Sequence, residues 1–291
     1  MNWWNPVTKS CCHVFKLNRE IVMLAEISYN EEVVYKLPES ISPEIKSVFF
    51  MSVHKSGSTL LNNVVKELCS CLEYSFVDIQ SHFFNTGIPD NNIPDHTSEI
   101  FKKNGYVYSG FRYFPHQYEI EPLDDCKLIL LLRDPRDAVV SQYFSITKSH
   151  PMPGSAHGGE LYDHMKEMRK NFSEMDIDEF CLQEIQGFVK KLEVYDSLMR
   201  THNDYRLFQY EEVIYLKKKW ILNMLNFLGW KMGHGDALRF ARKYDQFPSK
   251  EDANAHIRQV HPGNFRTKLK KETIAEINNK YRDVLMRFHY I

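Results

Sequence analysis

One stretch, Ser47 to Leu61, limits the chain to very few folds. Val48, Phe49, Phe50 and Met51 form a short unbroken apolar run, the pattern of a strand covered on both faces. A tight polar turn follows at once, from His54 through Lys55, Ser56, Gly57 and Ser58 to Thr59. Leu60, Leu61, Val64, Val65 and Leu68 then recur at helical spacing. A strand that turns directly into a helix makes its turn an anion site. Unpaired N–H groups and the positive end of the dipole gather at the helix N-terminus. Gly57 lets the backbone approach an anion closely, Lys55 adds a charge, and Ser56, Ser58 and Thr59 add hydroxyl donors. The turn is not the G-x-x-x-x-G-K-[ST] phosphate loop, because its lysine precedes the glycine.

The alternation continues along the chain. Tyr74 to Ile79, Tyr106 to Gly110, Cys126 to Leu132 and Asp204 to Phe208 read as further strands. Helical patterns stand between and after them: past Ala138, over most of Leu161 to Leu198, Lys217 to Leu228 with Gly229 as its stop, from Asp236, and Glu272 to Phe288. This order specifies an α/β fold, a single P-loop-like domain with a central parallel β-sheet flanked by helices on both faces. In such sheets ligands sit beyond the carboxyl ends of the strands, where Lys55 and Arg133 both fall. Asn85 to His96 and Pro248 to Phe265 read as irregular, and His150 to Gly159 as a flexible loop or lid. Residues 1–46 read as a peripheral lead-in, with Trp3 and Trp4 packed on the domain.

Composition removes several function classes. Lys+Arg 37 against Asp+Glu 38 gives a net charge of -1, so no global field attracts nucleic acid and any anion site is local. The six cysteines include no C-x-x-C pair, and no Cys/His cluster has metal-ligand spacing. A reduced, cytoplasmic protein without a metal is expected, since no apolar run is long enough for a bilayer and no secretory leader opens the chain.

A second anion site lies in the run Arg133-Asp134-Pro135-Arg136-Asp137, with Ser141 eight residues after Arg133. An arginine fork and a hydroxyl together suit a phosphate, although such a charged run can also simply pair with itself. At this point the chain resembles the sulfotransferases that use 3′-phosphoadenosine 5′-phosphosulfate (PAPS). Their 5′-phosphosulfate loop is similar to Lys55-Ser56-Gly57-Ser58-Thr59, and their 3′-phosphate motif to Arg133, Asp137 and Ser141. Their adenine-contacting Tyr-Glu-Asp/Glu motif resembles Tyr210-Glu211-Glu212, and their last motif resembles Arg258, Gly263-Asn264-Phe265 and Arg266. The four matches fall in the family's order. The chain departs from the pattern where Leu60 replaces the tryptophan that stacks on adenine, where Gln259 and Val260 replace a Lys-Gly, and where His54 replaces a common proline. The segment that carries the family's catalytic histidine looks like Ser109-Gly110-Phe111-Arg112, which has none.

The resemblance implies a sulfotransferase domain over 47–291, with 1–46 packed against it. It implies sulfuryl transfer from PAPS to a hydroxyl or amine of a small organic acceptor, by a monomer or homodimer needing no membrane or nucleic acid. Lys55 would neutralise charge on the leaving 3′,5′-bisphosphate. A hydroxyl acceptor needs a general base, for which His116, His82 and Asp78 are the candidates. The segments around Ser81 to Phe84, Phe111 to His116 and the 150–165 loop are expected to build the acceptor pocket. Phe83, Phe84, Phe111, Tyr113 and Phe114, with Glu119, Glu121, Glu160 and Asp163 nearby in sequence, suggest a cationic natural product as acceptor. Two other classes compete: a P-loop kinase-like phosphotransferase, which the missing Walker motifs oppose, and a catalytically silent nucleotide-binding relative, which intact Lys55 and Arg133 oppose.

Overall fold

The Val48–Met51 run becomes the middle strand of a five-stranded sheet. The computed structural model describes residues 24–117, 119–149, 152, 159–245 and 260–291. Strands β1 (Glu26–Tyr29) and β2 (Glu32–Lys36) form an antiparallel hairpin of their own. Strands β3 (Val48–Ser52), β4 (Ser75–Val77), β5 (Tyr106–Phe111), β6 (Lys127–Leu132) and β7 (Tyr205–Gln209) form the sheet in the order β4-β5-β3-β6-β7. Every pairing in it is parallel.

Side chains of a strand alternate between the two faces of its sheet. Phe49, Met51, Leu128, Leu130 and Leu132 enter one core, and Val48, Phe50, Ile129 and Leu131 the other. Neither face is polar, which is why these strands read as continuous apolar runs.

The helices are α1 (Ser58–Leu72), α2 (Ile79–Thr86), α3 (Pro135–Phe144), α4 (Glu160–Ser173), α5 (Ile177–Thr201), α6 (Tyr210–Val213), α7 (Lys217–Leu228), α8 (His234–Tyr244), α9 (Phe265–Lys268), α10 (Lys271–Lys280) and α11 (Arg282–Arg287). The first core takes Val139 and Val140 of α3 with Phe180, Ile185 and Leu192 of α5. The second takes Leu61, Val64 and Leu68 of α1 with Ile221 and Met224 of α7 and Phe240 of α8.

Four local readings need correction. The stretch before β3 is not a plain lead-in. It holds the β1–β2 hairpin, whose Ile27 is buried in the first core, as is Leu37 just after it. Asn30 and Glu31 at its tip have φ of 50° and 67°, the two left-handed residues of a type I′ turn. The usual Asn-Gly signal is absent there, so the sequence conceals the turn. The strand expected over Tyr74 to Ile79 stops at Val77, because Asp78 caps α2: its Oδ1 accepts the N–H of Ser81 at 3.0 Å. The irregular reading of Asn85 to His96 gives way to short 3₁₀ turns at Asp90–Asn92 and Asp95–Ile100. The helix expected over Glu272 to Phe288 breaks at Tyr281, with φ −116° and ψ 24°, which keeps Ile277, Val284 and Phe288 all on the first core. Trp3, Trp4, Arg258, Gln259 and nearly all of the His150–Gly159 segment lie outside the described residues.

Candidate active site

The turn after β3 bends through two left-handed residues, Lys55 at φ 62° and Gly57 at φ 84°. For a lysine that conformation costs roughly 1–2 kcal/mol. Ser56 closes the turn by donating its N–H to the Val53 carbonyl at 3.1 Å. A Cβ added to Gly57 would lie 2.9 Å from the Tyr210 ring. Glycine is thus required twice, for its φ and for the space that seats the start of α1 against Tyr210.

Arg133, just past β6, ties that turn to the neighbouring strand ends. Its Nη1 donates to the Lys55 carbonyl at 2.9 Å, and its guanidinium lies 4.3 Å from the centre of the Tyr210 ring. Its Nε is buried with no hydrogen-bond partner among the described residues. The Tyr210 hydroxyl in turn donates to the Val260 carbonyl at 2.9 Å.

The rest of the charged run pairs internally and builds the frame. Asp134 caps α3 by accepting the Arg136 N–H at 2.9 Å, and accepts the Arg136 guanidinium as well, with Nη2 to Oδ2 at 2.6 Å. Asp137 accepts the N–H groups of Gly263 at 2.6 Å and Phe265 at 2.9 Å. Phe265 is buried beneath Arg136, 4.3 Å from ring centre to guanidinium. Gly263, Phe265 and Arg266 therefore stand behind the motif and do not line the cleft.

The cleft itself, about 500 Å³, opens at the carboxyl ends of the strands. Lys55, Gly57, Ser58, Thr59 and Leu60 line it together with Arg133, Ser141 and Tyr210. The two anion motifs, 78 residues apart at Lys55 and Arg133, thus share one space. Ser56 is buried behind the loop and outside that lining. Five cationic side chains face the cleft, those of Lys55, Arg112, Arg133, Lys217 and Lys243, and no carboxylate does among the described residues. A chain of net charge -1 has concentrated a positive field in one hollow. Burial pulls the Lys217 ammonium below the usual lysine range, opposed by Asp245 at 3.6 Å. Glu211 accepts the Asp134 N–H at 2.9 Å, and burial pushes its carboxyl above the usual range.

The three base candidates lie elsewhere. Asp78 is spent as the α2 cap and accepts the Asn62 amide at 2.6 Å, with Gly110 packed directly on its carboxylate. His82 places Nε2 2.7 Å from the Val34 carbonyl, on the hairpin side, with its ring edge on Tyr35. His116 lines a separate hollow with Asp95, Phe114 and Glu119. None of the three is among the cleft-lining residues. Glu119 shares the His116 hollow, and Glu121, Glu160 and Asp163 line neither space, so the acids that suggested a cationic acceptor are not in the cleft. Sequence reasoning missed Asn63, Lys217, Lys243 and Tyr244, which do line it. Asn63 lies one turn after Thr59 and was open to detection. The other three come from the ends of α7 and α8, and no local pattern marks them.

A model of the sulfotransferase domain matches residues 46–286. The chain belongs to the sulfotransferase family. No curated protein sequence matches it significantly. Among solved structures it is similar to a mouse sulfotransferase, SULT7A1, complexed with PAP. They share 13% identity over 82% of this chain and 84% of that one, at a TM-score of 0.50. It is also similar to retinol dehydratase in a complex with retinol and PAP, at 16% identity over 86% of this chain and 82% of that one, with a TM-score of 0.51. At that identity the likeness is one of fold. This sulfotransferase holds no group of His, Cys, Asp and Glu suited to a metal, and no helix long and apolar enough to cross a membrane, among the described residues.

Proposed function

We propose that this sulfotransferase moves a sulfuryl group from PAPS to a hydroxyl of a small organic acceptor. The observation that carries the reading is the single cleft in which the Lys55 turn and the Arg133–Ser141 pair meet, lined by cations and by no described carboxylate. Such a lining suits a donor with phosphate at both ends, and the PAP bound by the two similar structures supports that choice. The donor supplies a sulfuryl group already activated on its 5′-phosphate. Lys55, with Ser58 and Thr59 at the start of α1, sits where charge grows on the leaving oxygen. Arg133 and Ser141 take the 3′-phosphate, and Tyr210 flanks the base from the β7 end.

Strand order separates donor from acceptor. The donor motifs follow β3, β6 and β7, which leaves the β5 and β4 ends for the acceptor. Arg112 follows β5, and Ser81, Phe84 and Asn85 lie on α2 and line the same cleft. A benzene-sized acceptor fits an aromatic and amide lining of this kind. With Arg112 there and no described acid, neutral or anionic phenols are expected to be better acceptors than amines of equal size. The check is kcat/KM for 4-hydroxyphenylacetate against tyramine, and a preference for tyramine would overturn this charge argument.

Turnover of PAPS with phenolic acceptors in the presence of EDTA tests the reaction itself. Full activity is expected, because a transferring sulfuryl group carries less charge than a γ-phosphoryl and needs no metal to neutralise it. A kinase-like activity would instead require Mg²⁺ and ATP.

Arg133→Ala is expected to weaken 3′,5′-bisphosphate binding by about 10- to 100-fold, the worth of one charge-assisted contact of about 1.5–3 kcal/mol. Binding of adenosine 5′-phosphosulfate, which has no 3′-phosphate, should change little. Calorimetry that finds equal losses for both ligands would place Arg133 away from the 3′-phosphate.

A further inference from the structure

We propose that the acceptor is an aromatic hydroxy acid, whose carboxylate docks on the Arg112 guanidinium while its hydroxyl faces the donor. The proposal deepens the sulfotransfer reading and rests on it. An even positive field accepts neutral and anionic molecules of one size. An arginine held ready with nothing to grip asks for the anion.

The first observation is what the other cleft cations already contact. Arg133 donates to the Lys55 carbonyl and faces Asp137 at 3.6 Å. Lys243 pairs with Glu67 at 2.7 Å. Lys217 donates to the Ile214 carbonyl at 2.8 Å and faces Asp245 at 3.6 Å. Arg112 lines the same cleft, half-buried. Its guanidinium has no hydrogen-bond or ion-pair partner among the described residues. A guanidinium never loses its charge and carries five N–H donors in a planar fork. A carboxylate meets two of those donors at once.

The second is position. Arg112 follows β5, which pairs with β3 on the side away from β6 and β7. The 3′-phosphate motif and Tyr210 lie past β6 and β7, so the Lys55 turn after β3 stands between them and Arg112. Ser81, Phe84 and Asn85 line the cleft with Arg112, and their spacing puts all three on one stripe of α2. Phe84 adds a flat apolar wall for a ring, and Ser81 and Asn85 add a hydroxyl and an amide. No carboxylate of the described lining competes for the fork. An acid bound past β5 directs the far end of its ring towards β3, where Lys55 stands. The acceptor therefore carries its acid and its hydroxyl at opposite ends of the ring.

The third is how firmly the chain holds Arg112 where it leaves the sheet. Its main-chain N–H donates to Gln80 Oε1, on α2, at 3.1 Å. The preceding residue, Phe111, is buried, and its carbonyl accepts the Ser52 hydroxyl of β3 at 2.8 Å. Gly110, before that, packs on the Asp78 carboxylate at the start of α2. The backbone under Arg112 is thus tied to β3 and to α2, the two elements that flank the acceptor end. A fork that rises from a fixed base loses less freedom when it binds, and its plane makes the pairing directional.

The experiment uses three para-hydroxy acids of increasing reach: 4-hydroxybenzoate, 4-hydroxyphenylacetate and 3-(4-hydroxyphenyl)propanoate. Each is compared with its own primary amide at saturating PAPS. In the unaltered protein at least one acid is expected to exceed its amide in kcat/KM by about 10- to 100-fold, the worth of one charge-assisted pair. The difference should lie in KM, because the contact is made before transfer and during it alike. Arg112→Gln should bring that ratio close to one, and Arg112→Glu should turn it in favour of the amide. Calorimetry should find 3′,5′-bisphosphate affinity unchanged in both variants, which reports an intact donor half. The proposal alone is overturned if no acid exceeds its amide in the unaltered protein, a result that needs no variant to fold. It is equally overturned if Arg112→Gln slows acid and amide by the same factor, since Arg112 would then act on the transferring group, or if the preference survives that change. An unaltered protein that consumes no PAPS with the acids, the amides or 4-methylphenol overturns the sulfotransfer reading beneath it.

Discussion

Lys55→Ala is expected to lower kcat by about 10²–10³-fold, the typical loss when one group that stabilises developing charge is removed. The same change should barely weaken 3′,5′-bisphosphate binding. The structure makes this variant a clean test of charge. Alanine keeps a Cβ at φ 62°, so the cost of the left-handed turn is the same before and after. The main-chain carbonyl that Arg133 grips at 2.9 Å is untouched, so the two anion motifs stay joined. What disappears is the cleft-lining ammonium that we propose meets the leaving oxygen as it gains charge. An interaction made only in the transition state lowers kcat and kcat/KM together. If product affinity instead falls as far as kcat, Lys55 is a ground-state binding group. If turnover stays near the unaltered rate, the leaving oxygen is stabilised by other groups.

The sheet was readable from the sequence because its central strands are buried on both faces. An uninterrupted run as short as Leu128 to Leu132 fits a doubly covered strand better than a helix, and each of the five strands of the sheet lies within a stretch that reads as a strand. The hairpin at 26–36 was not, because its half-exposed strands are short and its tip lacks glycine. That the Lys55 turn and the Arg133–Ser141 pair share one cleft was legible for a related reason. A helix N-terminus fixes which residue types can hold an anion, and strand-end placement fixes where they meet. The far wall of the cleft was legible in part. Ser81, Phe84 and Arg112 line it, from two of the segments that the sequence assigns to an acceptor pocket, whereas His54 joins them through the way α2 and α5 pack. Asp78, His82 and His116 looked suitable by type and by order along the chain. Each is occupied elsewhere, by a helix cap, a hairpin carbonyl or a different hollow, and no local pattern announces such contacts.

The run from Arg133 to Asp137 invited two readings, a phosphate clamp or a self-paired loop, and the structure divides it between them. Arg136 belongs wholly to the second, and Arg136→Ala is expected to destabilise the fold by about 3–5 kcal/mol. Its side chain is 2% exposed. Its guanidinium donates to Asp134, to Asn278 Oδ1 at 2.6 Å and to the Tyr290 carbonyl at 2.7 Å, besides covering the Phe265 ring. Truncation strands the Asp134 carboxylate in the interior and frees the chain's C-terminal turn from α3. Urea unfolding should show a lower midpoint with an unchanged slope. Adding Asp134→Asn removes the stranded charge while keeping a cap on α3, so the double variant should lose less than the sum of the two single changes. An unchanged midpoint for Arg136→Ala would mean that this buried pair does not hold the fold. Compared with Arg133→Ala, the two arginines should separate cleanly. Arg133 lines the cleft with one buried nitrogen that has no partner among the described residues, so its loss should show in ligand affinity first, and its contacts to the Lys55 carbonyl and to Asp137 at 3.6 Å should lower the midpoint less than the loss of Arg136 does. Arg136 contacts only the protein's own frame, so its loss should show in the midpoint first. Ligand affinity should follow only as far as the Asp134 and Asp137 frame ceases to aim Arg133.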